Sequence, residues 1–389
     1  MRTVARDVFI PRRGGLGAFV GFVAYTGENR LWHRYSWETA SDKRADWSDI
    51  FSVDNGATWT DPVSVACYAD ELETGGKRKV AECCAFFDAA GKRLITMATR
   101  IHYPGDGEFV PGQRPTLRIA LYDADSHSCR SAVDTDLGLR GGVAVSFTFP
   151  VRLSTGRLLF PAMTMALDDV GRPVSHPGCW AEKSQSLAVI GERDAGGEFQ
   201  WRAGRPVDLD DRSTRGFDEN TMAELSDGRV AMILRGSNEV IWERQPGYKW
   251  AAFSDDGGES WTRPRPMEYD DGTPAESSAT GGALFRSIKD GELYWIGNFC
   301  PEGVRANGNR PRSPLYLVQV DETTFTFRKK TRFVIDERGP GDDEALQLSN
   351  FRYYQEIPSG DVVVFLPRFG ALGAERWMDA DYVRYRVAL

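Results

Sequence analysis

Four arginines stand at matching places in this sequence. Arg34, Arg100, Arg235 and Arg368 lie seven to nine residues after Gly27, Gly91, Gly228 and Gly360, and Thr164 and Asn298 hold the same offset after Gly156 and Gly291. A glycine that reverses the chain between antiparallel strands brings every one of these positions back to the same end of its strand pair. Guanidinium groups gathered there would hold a carboxylate, sulfate or phosphate through paired charge-assisted hydrogen bonds. The alternative is that each arginine forms a structural ion pair with a neighbouring Asp or Glu. Glu219 and Asn220 immediately precede the segment 221–225, which reads as an inner strand, and come to the same end. A carboxylate among arginines is a candidate for proton transfer.

The elements that must position these groups are repeats. The glycines head similar strand-like segments, such as D-G-R-V-A-M-I-L-R at Gly228 and S-G-D-V-V-V-F-L-P-R at Gly360, and successive glycines are 64, 65, 72, 63 and 69 residues apart. Four short strands with their connections need roughly 45–65 residues. The expectation is an all-β fold: a six-bladed β-propeller of four-stranded antiparallel sheets, forming a single domain over 1–389. The inner strands should be 18–25, 80–87, 143–153, 221–225, 282–288 and 351–357. Segments 4–10 and 382–388 should complete the last sheet together, leaving the ring without a free edge.

The composition agrees, with 41% apolar residues, 12% aromatic and 40 glycines. A formal charge of −8 argues against an extended nucleic-acid or anionic membrane surface. No run reaches the roughly 18 apolar residues of a spanning helix. The 15–25 stretch, interrupted by Gly15, Gly17 and Gly21, reads as a strand rather than a signal peptide, so a cytoplasmic protein is expected. The six cysteines lack paired metal spacing and should be free thiols, and only four histidines are present. Neither a metal nor a cofactor is expected.

Two segments, Ser52 to Trp59 and Ser254 to Trp261, fit S-x-D-x-G-x-S/T-W, and a decayed copy runs from Glu192 to Phe199. This pattern resembles the Asp-box, or bacterial neuraminidase repeat, of sialidase-like propellers. The stretch from Glu219 through Asp227-Gly228-Arg229-Val230 to Arg235 is similar to the sialidase segment that supplies a catalytic glutamate and the second arginine of a carboxylate-binding triad. Within N-G-N-R-P-R-S-P, Arg310 or Arg312 falls at the place of the third arginine, and Asp42 and Asp46 correspond to the family's acid loop. Two positions depart from the sialidase pattern. Phe9 occupies the place of the first arginine and Phe351 that of the nucleophilic tyrosine, with Asn350 beside it and Tyr353 two residues on. R-G-S-N at 235–238, P-G-Y-K-W at 246–250 and L-S-N-F at 348–351 resemble bacterial proteins described as sialidase-like.

The resemblance implies an exo-glycosidase acting on an acidic sugar or oligosaccharide. Arg235, Arg310, Arg312, Arg34, Arg100 and Arg368, with Asn220, Asn298 and Asn350, would bind the substrate, and Glu219, Asp42 or Asp46 would move protons. A polysaccharide lyase acting on a uronate is the alternative enzyme, with His102 or Tyr353 as base. A non-catalytic glycan-binding propeller would use rim aromatics.

Overall fold

The computed structural model describes residues 1–40, 44–65, 68, 71–73, 76–104, 114–146 and 148–389. They form six antiparallel sheets, which make a six-bladed β-propeller of the sialidase-like kind. Blade one contains Gly17–Tyr25, Leu31–Glu38, Arg44–Ser52 and Val63–Ser64, paired in chain order. Blade four repeats the pattern with Asp218–Glu224, Val230–Arg235, Lys249–Ser254 and Arg265–Pro266. Three sheets carry a fifth strand, where four were expected. In blade two it is Glu71–Glu73, added beside Gly76–Asp88. In blade five, Thr326–Phe327 and Phe333–Asp336 share the outer position.

In blade three the expected inner strand 143–153 is split into Ala144–Val145 and Val151–Arg152. Pro150, which has no N–H to give the ladder, lies in the gap.

The second strands show why continuous apolar runs serve here. Val230–Arg235, Leu293–Asn298 and Val362–Pro367 are buried at every position because a neighbouring blade covers each face. The core accordingly lies between blades. One cluster joins Phe22, Trp32 and Trp47 of blade one to Cys83, Leu94 and Tyr122 of blade two. Another joins Leu31, Tyr35 and Ile50 to Val363, Phe365 and Tyr382 of blade six, so the sequence of seams closes on itself. The last sheet is completed by Arg2–Ile10, which pairs antiparallel with Tyr382–Ala388 from Arg2 opposite Ala388 to Ile10 opposite Tyr382.

The Ser52–Trp59 segment is a tight turn between the third and fourth strands of blade one. Asp54 accepts from the Thr58 amide at 2.9 Å and the Thr58 hydroxyl at 2.6 Å, while the Gly56 amide donates to Ser52 Oγ at 2.8 Å. The Thr58 donors, followed by the Ser52 hydroxyl, hold the Asp54 carboxyl down to about 2. Asp256 makes the matching bonds to Ser260 in blade four. Gly56 has φ +84°, and a Cβ there would meet Tyr354 Oη at 2.6 Å, so both conformation and packing require glycine.

The seam between blades one and six contains an ionisable group. His33 Nδ1 lies 3.0 Å from the Phe22 carbonyl, and its Nε2 lies 3.1 Å from the Tyr382 hydroxyl. Burial pushes this imidazole down to about 3, with Arg352 adding to the effect and the Phe22 contact opposing it. The unfolded chain therefore binds a proton below about 6.5 that the folded chain refuses until about 3. Stability is expected to fall by about 1.4 kcal/mol per pH unit across that window on account of His33. Urea denaturation of wild type and His33→Gln between these pH values checks it. An equal pH slope for both proteins would assign acid sensitivity elsewhere.

Candidate active site

One cavity of about 610 Å³ is lined by residues from all six blades. Phe19 and Glu38 come from blade one, Thr99, Ile101 and Tyr103 from blade two, and Ala144 and Thr164 from blade three. Asp218, Glu219 and Arg235 come from blade four, Asn309, Arg310 and Arg312 from blade five, and Asn350 and Trp377 from blade six. Only the mouth of the central channel is shared by six blades. Phe149 of blade three and Tyr353 of blade six touch, with ring centroids 4.6 Å apart. Blades three and six are not neighbours, so their inner segments meet across the axis.

The most densely charged part of the lining is at the start of Asp218–Glu224. Asp218 is opposite Arg235 in the register and Thr221 is opposite Ile233, so the inner strand carries one extra residue there. This is a β-bulge, a device that re-aims side chains next to a site. Glu219 sits in it with φ +39°, a conformation that is strained for a residue with a Cβ. The bulge lets two successive carboxylates reach one guanidinium. Arg235 Nη1 pairs with Glu219, Nε lies 3.4 Å from Asp218 Oδ1, and Nη2 donates to Asn309 Oδ1 at 3.1 Å.

Arg215 reinforces this cluster. Its Nη1 donates to the same Asn309 oxygen at 3.4 Å, and its guanidinium lies 4.9 Å from the Trp180 ring. Trp180 is 63% exposed, leaving an aromatic surface at the rim. Arg312 forms the wall on the blade-five side, donating to Gln347 Oε1 at 3.1 Å, Ser349 Oγ at 3.2 Å and the Asn309 carbonyl at 3.1 Å. Arg310 is exposed beside it. Five cations, Lys183, Arg215, Arg235, Arg310 and Arg312, thus face four carboxylates, Glu38, Glu182, Asp218 and Glu219. The site is charged and mixed rather than simply cationic.

Behind Arg235, its register partner Lys249 is fully buried. Lys249 Nζ donates to the Ser278 carbonyl at 2.9 Å, the Thr280 carbonyl at 2.5 Å and the Thr280 hydroxyl at 3.2 Å, fixing a cavity wall. Burial pushes this ammonium down to about 7. Arg235 adds to that shift, and Glu219 and Asp218 oppose it.

The structure gathers Glu219, Arg235, Arg310, Arg312 and Asn350 around the cavity and places several other expected residues elsewhere. Arg34 points into the seam between blades one and two. It holds Asp49 with two bonds of 2.7 Å and lies 4.5 Å from the Tyr68 ring and 4.8 Å from that of Tyr122. Arg100 alternates with the cavity residues Thr99 and Ile101, so it faces the opposite side of its strand and lies 3.9 Å from Asp134. His102 follows the same alternation, between Ile101 and Tyr103, and is not a lining residue. Arg368 is held by Asp336 and Asp342 of the blade-five side, whose charges raise its pKa against the effect of burial.

Asn220 and Asn298 are buried ties between backbone segments. Asn220 Nδ2 donates to the Ala162 carbonyl at 2.7 Å, and Asn298 Nδ2 donates to the Pro314 carbonyl at 2.9 Å. Tyr353 is packed between Phe149 and Phe285, and burial raises its pKa; it does not line the cavity. Asp46 is exposed on the third strand of blade one and does not line the cavity, and Asp42 lies outside the described residues. Phe9 packs against His33, Trp59, Phe365 and Tyr382 in the seam between blades one and six.

Asp218, Arg215, Asn309 and Trp180 were not anticipated. The run R-G-F-D-E at 215–219 carried the signal for three charged groups before one inner strand.

No protein-family model matches the chain, and no curated protein matches it. Solved structures define its class as a sialidase-like six-bladed propeller. A Dyadobacter fermentans protein of unknown function superimposes with a TM-score of 0.68 at 12% identity, covering 100% of this chain and 99% of that one. The Hadza microbial sialidase Hz136 gives 0.67 at 15% identity, over 96% of this chain and 66% of that one. A Penicillium chrysogenum α-L-arabinanase complexed with arabinobiose gives 0.58 at 10% identity, over 100% and 98%. At these identities the likeness is one of fold.

Proposed function

We propose that this chain is a glycosidase acting on an acidic sugar, with Glu219 as the carboxylate that moves protons and Arg235, aided by Arg310 or Arg312, holding the substrate's carboxylate. The observation that carries this reading is the Glu219–Arg235–Asp218 cluster, set in a six-blade cavity whose neighbouring blade-five wall presents Arg310 and Arg312. An incoming carboxylate competes with Glu219 for Arg235 and releases Glu219 to act. Sialidases use a tyrosine nucleophile, but here Phe351 and Tyr353 are both core residues. Direct attack by water, activated by one carboxylate while a second protonates the leaving oxygen, takes the place of that step. Glu38, which faces the cavity from blade one, supplies the second carboxylate. The two glycosidase neighbours and the Asp-box-like turns at Asp54 and Asp256 support the reading at the level of fold.

The test is product analysis on aryl glycosides of N-acetylneuraminic acid and glucuronic acid and on a uronate polymer. Hydrolysed sugar with inverted anomeric configuration is the expected product. An ultraviolet-absorbing unsaturated uronate would establish a lyase instead, and binding without turnover would leave a glycan-binding propeller, for which exposed Trp180 is suited. Arg235→Ala is expected to raise KM about ten- to a hundredfold, as for loss of a charge-assisted contact. An unchanged KM would remove Arg235 from substrate binding.

A further inference from the structure

We propose that Lys249 is a positioning residue: its charged side chain fixes the arginines of blades four and five against one another, and the cavity holds its anion more tightly while that charge is present. This rests on the reading of the cavity as an anion site and adds its control.

The geometry is a chain of ties. Lys249 belongs to the P-G-Y-K-W run at 246–250, which packs against the segment leading into the inner strand of blade five. There the Ser277 amide donates to the Gly247 carbonyl at 2.9 Å, and a Cβ on Gly247 would lie 2.5 Å from the Ser277 carbonyl oxygen. Lys249 stands opposite Arg235, so the two side chains share a face of the sheet. Its three ammonium donors meet three acceptors, the Ser278 and Thr280 carbonyls and the Thr280 hydroxyl. That segment in turn holds the next loop. The Ser278 hydroxyl donates to the Pro311 carbonyl at 2.5 Å, and the Ala279 amide donates to the Gly308 carbonyl at 2.8 Å. Pro311 lies between Arg310 and Arg312, and Gly308 precedes Asn309, whose side-chain oxygen accepts from Arg235 at 3.1 Å. One ammonium therefore joins the guanidinium of blade four to the loop that carries those of blade five.

Removing the proton breaks the match. A neutral amine offers a lone pair where the ammonium offered its third donor, so one contact turns repulsive and the positive charge behind Arg235 is lost. The charged and titratable groups that face Lys249 are Arg235, Asp218 and Glu219 of blade four and Cys300, just after the second strand of blade five. Burial, reinforced by Glu276 of the segment that Lys249 holds, pushes the Cys300 thiol up to about 12, so it carries no charge near neutrality. Lys249 itself, held down to about 7 by burial and then by Arg235, changes charge there. An anion arriving at Arg235 adds to the negative charge of Asp218 and Glu219 and favours the charged lysine. By reciprocity the charged lysine favours the anion. Affinity is then expected to fall as pH rises through about 7, and binding above that pH is expected to take up a proton.

The experiment is calorimetric titration of wild type, Lys249→Met and Thr280→Val with N-acetylneuraminic acid and with glucuronic acid, from about pH 6 to about pH 8.5, where both carboxylates stay ionised. Buffers of differing ionisation enthalpy report proton uptake, and hydrogen exchange of the ligand-free proteins over the same range reports the wall. For whichever acid binds, wild type should lose about tenfold in affinity across the range and take up protons in its upper half. Lys249→Met should bind weakly throughout, with neither the slope nor the uptake. Thr280→Val, which takes away one acceptor of the ammonium, should move the fall in affinity to lower pH. Exchange at 278–281 and 308–312, corrected for intrinsic rates, should quicken with pH in wild type and be fast at every pH in Lys249→Met. A wild-type affinity that is flat with pH, or the same slope in Lys249→Met, overturns the proposal and leaves the anion site standing. If neither acid binds, the acidic-sugar reading falls and exchange decides on Lys249: a response to pH in wild type supports the positioning role, and no response overturns it. Should Lys249→Met fail to fold, the shift in Thr280→Val, or its absence, carries the same decision.

Discussion

Glu219→Gln is expected to cut turnover of the acidic substrate by about 10²–10⁴-fold, the usual cost of losing one general acid or base. The substitution hardly changes volume, and an amide oxygen can still accept from Arg235. Asp218 remains 3.4 Å from the same guanidinium, so Arg235 keeps a charged partner. The backbone that presents position 219 is held by other residues: Asn220 is tied to Ala162, and the Thr148 hydroxyl donates to the Asn220 carbonyl at 2.7 Å. Folding should therefore be preserved, which circular dichroism and the urea midpoint would establish before kinetics are read. Single-turnover rates give the chemical step. A Glu219→Gln protein that works at the wild-type rate would place the reacting group elsewhere in the cavity, with Asp218 and Glu38 next in line.

The largest stability effect is expected at Asp49. Arg34 is fully enclosed between blades one and two, and Asp49 neutralises it through two bonds of 2.7 Å. Replacing Asp49 by Ala leaves a buried guanidinium without its counter-charge, a change that costs about 3–5 kcal/mol. Removing both partners in Arg34→Met/Asp49→Ala should recover much of that loss, because an apolar pair needs no desolvated charge. Urea denaturation of the three variants measures the coupling. Losses that simply add would mean that the pair does not act as a unit. The same variants bear on function: Arg34→Met should leave KM for the acidic sugar unchanged, since the side chain lies in a seam away from the cavity.

The fold was legible because its signals are local and repeated. Each glycine turn sits between two strands whose apolar run survives in the sequence, and the Asp54 and Asp256 turns satisfy their own donors within a few residues. The grouping of the candidate residues was legible in part. Glu219 and Arg235 flank one hairpin, so their proximity follows from strand pairing alone. The error over Arg34, Arg100 and Arg368 came from reading position along the strand without facing. A shift of one residue turns a side chain from the mouth into a seam, and a bulge at Val20–Phe22 or Val80–Cys83 moves that register invisibly. Asn220 and Asn298 misled for a related reason. A buried amide that ties backbone segments has the same sequence neighbours as one that binds ligand. Asp218 was missed because strict alternation allows only one of two successive carboxylates to face the mouth, and the bulge gives both to Arg235.

The pairing of Arg2–Ile10 with Tyr382–Ala388 sets an order on biosynthesis. Arg2–Ile10 precedes all the other propeller strands in the sequence, yet it is an outer strand of the sheet that is finished after the other five. It emerges from the ribosome without this ladder partner, which is available only when the 382–388 segment has been translated. Blades two to five can assemble as they appear, but the ring remains open through most of elongation. Only the arrival of the 382–388 segment turns a curved stack of sheets into a closed wheel. The six-sided cavity, which needs blades one and six side by side, therefore cannot be complete before the 382–388 segment has been made.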